Sequence, residues 1–302
     1  MTEDSLVRRI ARRAASITGR GLVLGIGDDC AIFRPRGSPT DLVITTDMVL
    51  EDVHFRRQTH TPESVGHKAL ARGLSDIAAM GAEPLFCLVS LAVGRWADPA
   101  WVDGFYGGLL RLARASGTAL AGGDLARARL AACDIVVAGS VPRGRALRRD
   151  GAAPGDRIYV SGALGGSALG LATGKGPAWR RHLAPQPRLA LGRFLRQSLR
   201  ASAAMDISDG LSLDLRRLCR ASGLSAEIQA PPAFPGATLE QALHGGEDYE
   251  LLFTAGRRTR VPAAFEGLPL NEIGVMQAGP AGRITLDGKR LQPLGYDHFR
   301  RD

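Results

Sequence analysis

Seven aspartates stand where a solvated surface acid has no reason to be. Asp28 and Asp29 follow Gly25-Ile26-Gly27, Asp47 ends Val43-Ile44-Thr45-Thr46, Asp76 interrupts an apolar helical pattern, Asp124 follows Ala121-Gly122-Gly123, and Asp206 and Asp209 bracket Ile207-Ser208 before Gly210. An acid at a strand end or glycine turn leaves the core on a fixed backbone with its carboxylate aimed into a cleft. Several such acids together repel one another, so a cation must neutralise them. Oxygen ligands with no His or Cys in the set point to Mg²⁺ and away from zinc. Because Mg²⁺ takes only one or two protein carboxylates per ion, this many acids imply several ions and a polyphosphate, whose oxygens the glycine N–H groups can approach. The chemistry to be expected of such a set is nucleotide-dependent phosphoryl transfer.

Single members of the set have plainer explanations. Asp206 or Ser208 would serve as the cap of a helix starting near Leu211, Asp209-Gly210 is a turn dipeptide, and Thr45 and Thr46 suit a strand. Asp76 is the exception, because burying a lone carboxylate is costly unless it is paired or metal-bound. The standard nucleotide loops are absent. Gly174-Lys175 has Leu169 where a Walker A loop needs its first glycine, and Cys30 replaces the third glycine after Gly25-Ile26-Gly27.

The elements that must carry these residues alternate between the two periodicities. Residues 2–18 predict an amphipathic helix, 21–33 an apolar run broken by glycines, and 41–49 a strand. A helix follows over 62–82, opened by Pro62 and stopped by Gly81, then a strand over 86–93, a helix over 98–117, and strands over 118–124 and 133–141. The turn-rich, basic stretch 142–156 reads as a linker, so the expected domains are 1–142 and 143–302. Beyond it lie a strand over 157–162, a glycine turn and helix, a helix near 187–199, a strand and helix over 205–222, a short helix near 238–244 and a strand ending at 255. The fold class expected is α/β (α+β), with two α/β domains.

At 302 residues with 45% hydrophobic and 23% charged side chains, the chain is ordinary globular protein, neither disordered nor fibrous. Its net charge of +9 raises nucleic-acid binding. The basic residues are scattered, however, and only Lys68, Lys175 and Lys289 are lysines, so no nucleic-acid footprint is expected. Four dispersed cysteines without Cys-x-x-Cys, no apolar stretch behind the N-terminal arginines and no run of membrane length predict a cytoplasmic protein without a membrane partner.

The blocks GIGDDCAIF, ITTDMVLEDVHF, LSDIAAMGAEP, AGGD, DISDGL, GGEDYEL and GYDHF, in that order from residue 21 to 299, resemble the thiamine-monophosphate kinase family. That family sits in a superfamily with aminoimidazole ribonucleotide and selenophosphate synthetases. The resemblance implies ATP-dependent phosphorylation of thiamine monophosphate to thiamine diphosphate, several Mg²⁺ ions, and a homodimer whose N-terminal domains pair their sheets. A sibling ATP-dependent synthetase acting on another small substrate is the alternative. Carried over by motif, the resemblance implies metal ligands at Asp29, Thr45, Thr46, Asp47, Asp76, Asp124, Asp206 and Asp209, of which Asp76, Asp124 and Asp209 would be catalytic. It places Gly123, Asp124, Arg149, Ser208 and Tyr106 at ATP, and His54, Glu247 and Tyr296 at thiamine monophosphate. The sequence departs from the family pattern at Gly73, where asparagine is expected, and at Leu125, where threonine is expected.

Overall fold

The computed structural model describes residues 2–17 and 19–299, which form two mixed sheets with helices packed on them. The first sheet is built from β1 (Leu22–Leu24), β2 (Ala31–Phe33), β3 (Thr40–Leu50), β4 (Glu83–Gly94), β5 (Ala119–Ala128) and β6 (Ala132–Pro142), in the spatial order β1-β2-β3-β6-β4-β5. Only β4 and β5 run parallel. Alternation fixes its register: Val43, Val49, Val89, Leu91, Ile135 and Val137 point inward and are buried, whereas the even-numbered neighbours Thr46, Met48, Leu88 and Ser90 face the other side.

The inward face is covered by two helices, after α1 (Glu3–Ala14) at the N-terminus: α2 (Pro62–Ala79) and α3 (Pro99–Ser116). Both open with a proline behind a capping side chain, Thr61 accepting from the Ser64 N–H and Asp98 from that of Trp101. Among the described residues no helix covers the opposite face, and Met48 and Leu88 stand exposed on it. Its outer strand, β5, is exposed along nearly its whole length.

The second sheet runs β14-β13-β9-β12-β7-β10-β8, with β11 on the side of β12. Its strands are β7 (Arg157–Ser161), β8 (Ala203–Ile207), β9 (Ser225–Ile228), β10 (Glu250–Ala255), β11 (Ala264–Phe265), β12 (Leu268–Gln277), β13 (Ile284–Leu286) and β14 (Lys289–Arg290). Its helices are α4 (Gly166–Thr173), α5 (Gly176–Leu183), α6 (Leu189–Phe194), α7 (Leu211–Ala221) and α8 (Leu239–His244).

Several elements differ from the sequence expectation. The strand expected at 118–124 continues to Ala128, and the helix near 187–199 ends in a π-helical turn over Leu195–Leu199. Helix α5 was hidden because Gly174 and Gly176, both at positive φ, make its approach read as a loop. Strand–helix alternation suggests parallel sheets, yet each sheet has a single parallel pair, β4 with β5 and β9 with β13, because several strands join directly to their antiparallel neighbours.

The two halves share α2. Its inner face packs into the first core, and its end, at Ala78 and Ala79, joins a core with Leu191, Leu195, Tyr159 and Phe253 of the second half. Gly192 lets α6 pass close to it: a Cβ there would lie 2.0 Å from the Ala78 carbonyl oxygen. All four cysteines are buried free thiols, and among the described residues no helix is long and apolar enough to cross a membrane.

Candidate active site

A cleft of about 1010 Å³ opens between the two halves. At its floor the carboxylates of Asp29, Asp76 and Asp206 come within 4.8 Å of one another. Three different elements deliver them. Asp29 lies in the glycine turn before β2, Asp76 on the last turn of α2, and Asp206 near the end of β8. Thr45 points inward from β3 and donates to Asp76 at 2.5 Å, and Ser75 donates to Asp206 at 2.7 Å. Burial, then the carboxylate of Asp206, pushes the Asp76 carboxyl well up, and burial and Asp29 do the same to Asp206. Arg149 offsets part of this charge, gripping Asp29 through Nε at 3.2 Å and Nη2 at 2.6 Å. Three carboxylates facing one guanidinium at this spacing form a donor set suited to a hard divalent cation.

The local backbone explains why these acids meet. The turn after β8 is closed by Gly210 at φ 109, where a Cβ would lie 2.7 Å from the His244 carbonyl oxygen. Gly210 itself is the cap residue of α7 and makes no side-chain cap bond, so neither Asp206 nor Ser208 is there to cap a helix. The cap role falls partly to Asp214, whose carboxylate accepts from the Asp209 N–H at 3.0 Å. Glu247 and Tyr249 follow at positive φ, and their N–H groups bond back to the carbonyls of Ser208 and Ile207. Two non-glycine residues in that conformation within three positions mark backbone held for a purpose other than stability.

Most of the expected residues reach this cleft. Asp29, Thr45, Thr46, Asp47, Asp76, Arg149, Asp206, Ser208 and Asp209 line its acidic half, and His54, Glu247 and Tyr296 the other. Their partners are more specific than the sequence suggests. Asp47 is held by Arg72 through two bonds of 2.6 and 2.9 Å, Thr46 faces the open side of the sheet and donates to Asp134, and Asp209 is paired with Arg217. Three expected residues are not brought into the cleft. Gly123 and Asp124 lie on exposed β5, with Asp124 in register with Ser90 and Asp134 on the open face, and Tyr106 packs on α3 against Phe105.

Sequence reasoning missed the basic framework. Lys68 is fully buried, its ammonium donating to Glu247 at 2.8 Å and to the His54 carbonyl at 3.2 Å. Against the upward push of burial, Lys68 and then Arg72 hold the Glu247 carboxyl down at about 2, so it is an anion at neutral pH. His54 accepts the Leu50 N–H at Nδ1, and burial, aided by Arg72, pulls it down to about 3, so it is neutral. A signal for Lys68 was present: one of three lysines among 39 basic residues, it sits at an apolar position of α2. Helix α1 had none, yet Glu3, Asp4, Val7 and Arg8 line the mouth of the cleft, and Asp4 pairs with Arg216, Arg217 and Arg220 of α7.

Residues 27–141 match the family model of the AIR synthase related protein, N-terminal domain, and residues 153–287 that of its C-terminal domain. Thiamine-monophosphate kinase of Salmonella typhimurium is 38% identical to this chain, with 98% of each covered. The chain belongs to the thiamine-monophosphate kinase family. The Bacillus subtilis member of the family is 34% identical, covering 99% of this chain and 100% of its own. Among solved structures, AaThiL complexed with AMPPCP and TMP superposes with a TM-score of 0.88 at 32% identity, covering 99% of this chain and 97% of its own. Hydrogenase maturation protein HypE in complex with ATP, at 18% identity and a TM-score of 0.68, shares the fold alone.

Proposed function

We propose that this chain transfers the γ-phosphoryl group of ATP to the phosphate of thiamine monophosphate, giving ADP and thiamine diphosphate. The observation that carries this reading is the acidic floor of Asp29, Asp76 and Asp206 in a cleft between the halves of a thiamine-monophosphate kinase family member. Asp47, Asp209 and Thr45 complete the set in this cleft that would hold Mg²⁺, which when bound neutralises the negative charge of two phosphorylated substrates, while Thr46 stands with Asp124 and Asp134 on the open face. The remaining work falls to the chain. A phosphate monoester with a second pKa near ~6 is already largely dianionic at neutral pH, so the attacking oxygen needs no strong base. That agrees with a neutral His54. As the new P–O bond forms, the bond between the γ-phosphorus and the bridging oxygen breaks, and ADP leaves with the electron pair. Arg149 and Ser208 sit where they would orient ATP, and anionic Glu247, with His54 and Tyr296, where they would meet the cationic thiamine end.

The reading includes a homodimer. Apolar Met48 and Leu88 on an open sheet face, beside an exposed ten-residue edge strand, suit a second copy of this sheet. In such a pair Gly123, Asp124 and Tyr106 would serve a site that their own cleft does not reach. The domain division at 142/143 is proposed with one qualification drawn from α1, whose polar partners lie on the far side of that division. Buried free thiols support a cytoplasmic setting.

The test is formation of thiamine diphosphate from Mg-ATP and thiamine monophosphate, followed directly, with a chelated control. Thiamine diphosphate that disappears on chelation supports the reading. ADP release without it would move the substrate to that of a sibling synthetase.

A further inference from the structure

Next to the cleft, and sharing His54, Leu171, His182 and Glu247 with it, lies a second pocket of about 310 Å³. It forms where residues 52–60 of the first half meet the α4–α5 hairpin of the second. Its wall is aromatic. Trp179 stacks on His182 with centroids 5.1 Å apart and an angle of 16°, and His60 stands edge-on to both at 5.2 and 5.5 Å.

Three polar atoms here are buried without a hydrogen-bond partner: His60 Nε2, His182 Nε2 and Glu247 Oε1. A packed core rarely leaves such atoms unpaired, because the hydrogen bond lost to water is not replaced, although Glu247 Oε1 has a charge near it, Arg72 Nη1 at 3.5 Å. Three around one pocket that opens into the cleft are the imprint of a polar ligand. The bonds at the other ring nitrogens set what each can offer. His60 Nδ1 accepts the Arg56 N–H at 3.3 Å, which leaves its proton on Nε2 as a donor. His182 Nδ1 lies 2.8 Å from Ser167 Oγ and 3.4 Å from the Glu247 carboxylate, oxygens that keep the proton on Nδ1 and leave Nε2 an acceptor. Burial and then Lys68 bring both imidazoles down to about 4, so both are neutral at physiological pH. The pocket therefore offers one donor, one acceptor and a flat aromatic wall, with a carboxylate at its entrance.

That pattern complements an aminopyrimidine, whose ring nitrogen accepts while its exocyclic amine donates. We propose that the pocket seats the aminopyrimidine ring of the substrate, His60 Nε2 donating to a ring nitrogen, His182 Nε2 accepting from the amine and Trp179 lining the ring. The assignment rests on thiamine monophosphate being the substrate. His60 and His182 become specificity-determining residues, while the phosphate lies towards the acidic floor.

Steady-state kinetics with thiamine monophosphate, and with the analogue whose exocyclic amine is a carbonyl oxygen, test it. His60→Asn keeps an acceptor for Arg56 but removes the donor into the pocket, and His60→Gln restores an amide donor near the Nε2 position. His182→Asn removes the acceptor. His60→Asn is expected to raise KM for thiamine monophosphate about tenfold with kcat and the KM for ATP within about twofold, and His60→Gln to recover most of the loss. The unmodified protein is expected to prefer the amine over the carbonyl analogue by about tenfold in kcat/KM, and His182→Asn to erase that preference. Unchanged KM values and an unchanged amine preference in both asparagine variants would overturn the pocket assignment alone. So would equal losses towards both substrates and ATP, with a lowered melting temperature that glutamine does not repair. Failure of the unmodified protein to make any thiamine diphosphate would instead overturn the parent reading, and this one with it.

Discussion

Replacing Lys68 by methionine isolates the buried ammonium on which the substrate side of the cleft is built. Lys68 is fully enclosed and Glu247 is 22% exposed, with 2.8 Å between Nζ and Oε2. At an effective dielectric of about 20 the gross attraction is about 6 kcal/mol, most of it offset by desolvation. Methionine fills the stem's space but leaves Glu247 without its nearest cation. Removing one partner of a buried pair costs about 3–5 kcal/mol. Here Arg72 remains 3.5 Å from the other carboxylate oxygen and water reaches part of Glu247, so a smaller cost, about 2–3 kcal/mol, is expected. For a chain of this length that is a fall of about 3–5 °C in the thermal midpoint. Glu247→Gln alone should cost at least as much, since it strands the enclosed ammonium, whereas the double variant should lose less than the two singles together by about 2 kcal/mol. Thermal and urea midpoints of the four proteins complete the cycle. A Lys68→Met midpoint within about 0.5 kcal/mol of the parent, or strictly additive losses, would refute the claim that this pair is an energetic unit.

Asp76→Asn should lower turnover at least about a hundredfold yet raise the melting temperature of the metal-free protein, because it removes one of three mutually repelling carboxylates; a lowered midpoint would contradict the repulsion. Gly73→Asn, which restores the residue expected from the family pattern, should destabilise by about 1–3 kcal/mol because a Cβ at Gly73 meets Val137 Cγ2 at 2.5 Å, and Val137→Ala should relieve it, as paired urea melts would show. Acid should act in two windows. His60 and His182, at about 4 in the fold against 6.5 ordinarily, contribute stability that is fully present above 6.5 and is lost as pH falls through 4, on the order of 3 kcal/mol for each. Glu247, at about 2 against 4.5, adds a term present above 4.5 and lost as pH falls towards 2. Urea midpoints that stay flat between pH 7 and 5 would count against neutral buried imidazoles. Leu88→Glu on the open sheet face should yield a monomer in sedimentation with reduced turnover, and an unaltered mass would argue against that face as the dimer contact.

What could be read in the sequence was the part written in local backbone. Glycine turns and strand ends betray Asp29, Asp47 and Asp206 because their constraint lies within a few residues, and Asp76 stands out against the apolar period of α2. Pairings across the chain leave no such trace. Nothing near Asp47 announces Arg72, 25 positions away, and nothing near Glu247 announces Lys68, 179 positions away. His60, Trp179 and His182 become a group only when α5 folds back over residues 52–60. Asp124 shows the opposite limit. Its Gly-Gly setting marks it as clearly as the others, but β5 carries it to the open face, a destination decided by sheet order.

The shared helix α2 also bears on heredity. It is encoded with the first sheet, yet Lys68, Ser75 and Arg72 hold Glu247 and Asp206 of the second half, and Gly192 of that half is shaped to its backbone. The unit that must travel together in recombination is therefore not either half. A chimera of two family members joined within residues 143–156 would bring one parent's α2 against the other parent's α6, β8 and Glu247 turn. Crossovers should be tolerated only between parents that match at these few contacts, so the junction that looks most permissive along the chain is the one most constrained in space.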